Sequence, residues 1–123
     1  MMNFALLLGF VSFLLDPAIA AAASCESLAS LSLPNAAITS VKAEAAGETP
    51  AFCRVALTIK PSGDSDIKVE VWLPSSGWNQ KYEAVGNGGW AGSISYAAMQ
   101  EALRVGYATS STDTGHSLSL IHI

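Results

Sequence analysis

Two periodicities meet between Ile67 and Tyr107, and a glycine-rich segment separates them. Ile67, Val69, Val71 and Leu73 alternate with Lys68, Glu70 and Trp72, the period of two expected of a strand with one buried face. Pro74-Ser75-Ser76-Gly77 ends that strand, and a short apolar step, Tyr82-Glu83-Ala84-Val85, leads into Gly86-Asn87-Gly88-Gly89-Trp90-Ala91-Gly92. Four glycines in seven residues forfeit so much backbone entropy that they need a reason. Beyond them Tyr96, Met99 and Leu103 share one helical face, Ser93 or Ser95 can cap the helix, and Gly106 stands where a C-terminal stop belongs. Tyr107 to Ser111 is a further strand candidate. Strand, glycine-rich loop, helix and strand in that order predict a parallel pair joined by a crossover, hence an α/β fold.

The upstream half is strand-rich. Leu33-Pro34-Asn35 opens a short extended stretch, Ile38 to Val41, followed by a loop at Ala46-Gly47-Glu48-Thr49-Pro50. Phe52 to Lys60 reads as a strand, and Pro61-Ser62-Gly63-Asp64-Ser65 as a turn of hairpin length.

Both ends look separate from the fold. Phe4 to Leu15 is an apolar run of signal-peptide length, Asp16-Pro17 breaks it, and small residues at cleavage spacing follow. Residues 1–23 are therefore expected to be an export leader, cut after Ala20 or Ala23. No Lys or Arg precedes the run, and it is too short to span a bilayer comfortably. The last six residues, Leu118-Ser119-Leu120-Ile121-His122-Ile123, match the translation of a transposon adapter used to fragment DNA for sequencing. The natural chain is accordingly expected to be interrupted after about Ser117, which leaves 24–117 as the folded portion.

Six Lys and Arg stand against ten Asp and Glu, a formal charge of −4, and nothing basic is clustered. Nucleic acid is thus not expected as a partner, nor is a membrane once the leader is removed. Cys25 and Cys53 form an even pair in a chain expected to be exported, which favours a disulfide. Closing a loop of about 28 residues contributes on the order of 3 kcal/mol by chain entropy. Two thiols without nearby histidines make a poor zinc site, so no metal is expected here.

An ordered set of segments carries a resemblance: Cys25-Glu26-Ser27-Leu28, Leu33-Pro34-Asn35, Pro50 to Val55, Val69 to Pro74, Trp78-Asn79, Val85 to Gly92, and Ser111-Thr112-Asp113-Thr114-Gly115-His116. Together they resemble the N-terminal part of the tannase and feruloyl esterase family. The resemblance implies a secreted or periplasmic α/β-hydrolase with a serine nucleophile, a large lid domain and several disulfides, acting on esters of aromatic acids such as gallate and ferulate. It implies a small aromatic ester as substrate, and calcium in a lid that lies outside this segment.

In such a fold the loop between the third strand and the first helix presents one oxyanion-hole N–H, and Gly86 to Gly92 occupies such a loop. Gly88 or Gly89 is the expected donor; a plain turn is the competing reading. Trp90 either lines an aromatic acyl pocket or packs against the sheet. Asp113 and His116 invite a Ser-His-Asp reading. No Gly-x-Ser-x-Gly elbow exists in the chain, however, and the family order places the histidine last. Both are therefore expected to be loop residues near the site, with nucleophile, acid and base outside the segment. A rival from another class is a small secreted β-rich carbohydrate-binding module, which needs Trp72, Trp78 and Trp90 on one exposed face.

Overall fold

The structure, a computed structural model, describes residues 23–88 and 92–115. Residues 1–22 of the expected leader and the whole of the expected adapter lie outside the described residues. A 3-10 helix, Cys25–Ser30, comes first, with the Ser24 hydroxyl accepting from Ser27 N at 3.3 Å at its start. Then follow β1 (Ala36–Glu44), β2 (Phe52–Ile59), β3 (Ile67–Pro74), β4 (Tyr82–Ala84), α1 (Tyr96–Arg104) and β5 (Ala108–Thr112).

The five strands form one sheet in the order β1-β2-β3-β5-β4. Pairing is antiparallel from β1 through β5, while β4 lies parallel to β5. The glycine-rich loop and α1 thus form the crossover of a parallel pair, as the order of elements predicts. The first strand is longer than the Ile38–Val41 stretch foreseen, and the 3-10 helix has no counterpart among the expected elements.

Alternation along β2 and β3 sorts side chains onto two faces. On one, Phe52, Trp72, Met99 and Leu103 form a buried cluster beneath α1, with Val85 and Ile94 packed on it. On the other, Cys53, Val55 and Leu57 are buried among half-buried Val69, Val71 and Leu73. The expected burial of β3 is therefore reversed in depth: its aliphatic residues are half-buried, whereas Glu70 is 6% exposed and Trp72 4%. The cause is the cover each face receives. The nine-residue α1 lies over the Glu70 face. The aliphatic face has β1 alongside and the six-residue 3-10 helix, tied down by the Cys25–Cys53 disulfide.

The anticipated helical face is present. Met99 and Leu103 are essentially inaccessible, each burial worth about 1.5–3 kcal/mol. Gly106 ends the helix as foreseen. Its N–H donates to Leu103 O at 2.9 Å and the Tyr107 N–H to Ala102 O at 3.0 Å, the paired bonds of a Schellman stop. Gly106 has φ +84°, and a Cβ there would lie 2.8 Å from Gly77 O, so both backbone angle and space require glycine. Trp78-Asn79 explains itself here: Asn79 Nδ2 donates to Val105 O at 2.8 Å and Asn79 N to Gly106 O at 3.0 Å, satisfying carbonyls at the end of α1.

Candidate functional site

The glycine-rich loop leaves the carboxyl end of β4, a short strand held to β5 by more than its ladder. Val85 N donates to Ser110 O at 2.8 Å, and the Thr109 hydroxyl, wholly buried, donates to Glu83 O at 2.8 Å. The two ends of the loop then meet: Ser95 Oγ donates to Gly86 O at 2.7 Å, and Ser95 N donates to Ser111 Oγ at 3.0 Å. Asn87 Nδ2 reaches Thr112 O at 3.3 Å and Thr114 Oγ1 at 3.4 Å. Loop, helix start and the end of β5 therefore converge at the carboxyl end of the parallel pair, where open α/β sheets place their ligands.

Gly88 is exposed, with φ +24° and nothing within 4 Å of where a Cβ would stand. Among the described residues no group accepts from its N–H. Gly89, Trp90 and His116 lie outside the described residues. Asp113 stands beside the loop, but its carboxylate is engaged: Oδ1 accepts from Lys68 N and from Gly115 N, each at 2.9 Å. That carboxylate closes the turn after β5 and ties it to the start of β3.

The tryptophan platform of the carbohydrate-binding alternative is not formed. Trp72 is buried under α1 while Trp78 is 55% exposed, its Nε1 donating to Lys81 O; a buried ring has no face to offer a sugar. Among the described residues no group of three or more His, Cys, Asp and Glu side chains comes together. They do not fit a calcium site, which needs several oxygen ligands together. No helix among them is long and apolar enough to cross a membrane.

One cluster went unforeseen in the sequence. Glu70 accepts four hydrogen bonds: Arg54 Nε to Oε2 at 2.8 Å, Arg54 Nη2 to Oε1 at 2.6 Å, Trp72 Nε1 to Oε2 at 2.8 Å, and Tyr96 Oη to Oε1 at 2.9 Å. The guanidinium also lies 5.8 Å from the Trp72 ring centroid and 5.6 Å from that of Tyr96, within cation–π range. Burial pushes the Glu70 carboxyl up, but the bonds from Arg54, Trp72 and Tyr96 together outweigh it and hold it below its ordinary value. Tyr96 is shifted up, first by burial and then by its bond to Glu70. Because Tyr96 is the first residue of α1, this cluster fixes the far end of the glycine-rich loop to the sheet.

Residues 53–120 match the family model described as tannase and feruloyl esterase. The chain belongs to the tannase and feruloyl esterase family. An uncharacterized esterase of Xanthomonas campestris pv. campestris is 45% identical over 111 residues, covering 81% of this chain and 19% of the relative. Among solved structures, an esterase from Aspergillus oryzae superposes with a TM-score of 0.70 at 26% identity, and feruloyl esterase B from the same organism with 0.65 at 34%. Each covers 77% of this chain and 22% of the neighbour. The chain thus spans about a fifth of the length of these family members, and their α/β-hydrolase type of sheet is the one seen here.

Proposed function

We propose that this segment is the N-terminal part of a secreted or periplasmic serine carboxylic ester hydrolase acting on esters of aromatic acids of the feruloyl or galloyl type. Its loop 86–92 supplies an oxyanion-hole donor, the N–H of Gly88 or Gly89. One observation carries the reading: the loop leaves the carboxyl end of β4 and runs into α1, with β4 parallel to β5, the place from which an α/β-hydrolase presents such a donor. A backbone N–H held there stabilises the negative charge that develops on the ester carbonyl oxygen as the serine attacks, and losing one typically costs about 100- to 1,000-fold in rate. Glycine leaves the approach open, as the empty space around Gly88 illustrates.

The nucleophile, acid and histidine come from outside these 123 residues, since no nucleophile elbow occurs among them. Asp113 orders the turn beside the loop. Calcium belongs to residues outside those described. The apolar run Phe4 to Leu15, read as an export leader, supports export.

The test is to read the source gene through the codon of Ser117, express the encoded enzyme and assay methyl ferulate and methyl gallate. Hydrolysis is expected, and Gly88→Ala, which strains a positive φ and turns the N–H, is expected to lower kcat by about 100-fold with KM little changed. Absence of any ester hydrolysis by the unsubstituted enzyme sinks the reading. The 123-residue chain alone is expected to show no turnover.

A further inference from the structure

We infer that Ser95, backed by Ser111, is a positioning residue that sets the oxyanion loop. The inference rests on the esterase reading above and adds the residues that hold its donor in place. Ser95 occupies the N-cap position of α1, where a serine oxygen ordinarily accepts from the first turn of its own helix. It makes no such bond. Ser24, at the head of the 3-10 helix, does make one. The Ser95 hydroxyl instead donates across the loop to Gly86 O at 2.7 Å, while its N–H donates to Ser111 Oγ at 3.0 Å.

Ser111 is 3% exposed and lies opposite Glu70 in the β3–β5 ladder, so the anchor itself belongs to the rigid sheet. The Ser95 side chain thereby fixes the distance between the two ends of the loop, and its backbone N–H, through the Ser111 hydroxyl, ties them to β5. Beside Gly86 the loop is held further by the weaker contacts of Asn87 at 3.3 and 3.4 Å. Gly88 follows these attachments directly and has open space around it, so its direction is set by them. A misplacement of about 1 Å in a reacting geometry can cost about 100-fold in rate. A helix that gives up its own side-chain cap to clasp a loop is therefore informative about what that loop must do.

In the enzyme read through the Ser117 codon, Ser95→Ala is expected to lower kcat 10- to 100-fold on methyl ferulate with KM within about twofold. Ser95→Thr, which keeps the hydroxyl, is expected to restore most of the rate. Ser93→Ala, an exposed change two residues away, serves as the control. Amide hydrogen exchange on the same proteins provides a readout independent of chemistry: loop residues 86–88 and 92–95 are expected to exchange about tenfold faster in Ser95→Ala, with β2 and β3 unchanged. Unchanged kcat in Ser95→Ala, in an enzyme that hydrolyses the ester, overturns the inference alone. Equal acceleration of exchange across the whole sheet also overturns it, since the serine is then merely structural. No turnover by the unsubstituted enzyme overturns the esterase reading and this inference with it.

Discussion

The two faces of the sheet differ in a way their residue types misrepresent. One carries Val55, Leu57, Val69 and Val71 and reads as core, yet its β3 members remain half-buried. The other carries an arginine, a glutamate and an indole, and the most deeply buried side chains, Met99, Leu103 and Thr109, lie there. Depth follows the cover, a helix on one side and a six-residue 3-10 turn on the other. Where charge is buried under the helix, all of it is partnered, as the cost of an unpaired buried ion demands.

The comparison breaks most visibly if side chains are shortened on each face in turn. Leu103→Ala should cost about 3–4 kcal/mol, against about 1 kcal/mol for Val71→Ala, because only the first empties a fully covered site. Urea unfolding followed by tryptophan fluorescence gives both values, and equal costs would show that the faces are packed alike. Next in size, Cys25→Ser should lose on the order of 3 kcal/mol by the loop-closure estimate. Most of that loss should appear as faster exchange in β1 and the 3-10 helix, because the disulfide holds the cover of the aliphatic face.

The smallest effect concerns the charged cluster. Glu70→Gln should cost about 2 kcal/mol near neutral pH, less than for a fully buried pair because Arg54 keeps 38% of its side chain exposed. Glu70 has its carboxyl held below the ordinary range in the folded state. Its contribution is therefore fully present above the unfolded carboxyl value of about 4.3 and is lost as pH falls through the lower folded value. The gap between wild type and Glu70→Gln should narrow as pH falls below that unfolded value. A gap that widens there would reverse the assignment.

Much of this was legible in the chain. Period two located β3, Pro and Gly marked the turns, and the glycine-rich loop followed by an amphipathic helix and a strand gave the parallel crossover. The rival module failed on a single residue: an indole can stack on a sugar or lie under a helix, and nothing local to Trp72 distinguishes the two. The Glu70 cluster was within reach. Folding the hairpin about Gly63 places Arg54 opposite Trp72 and Ala56 opposite Glu70, the observed register, and so sets the two opposite charges diagonally on one face. Which face α1 covers was not accessible, because alternation distinguishes the faces without saying which receives a helix. The clasp by Ser95 escaped for a related reason: a serine before a helix looks like a cap, and only the three-dimensional path of the loop redirects its hydroxyl.

The capping of α1 by Asn79 has a consequence for how this molecule comes apart. Asn79 joins the entry of β4 to the exit of α1 at one end of the crossover, and Ser95 joins the exit of β4 to the entry of α1 at the other. The chain from Asn79 to Gly106 is thus a hoop fastened at both ends. Neither the loop nor the helix can peel away without breaking a fastening that the other shares, so both should open together, as one unit, on a timescale of their own.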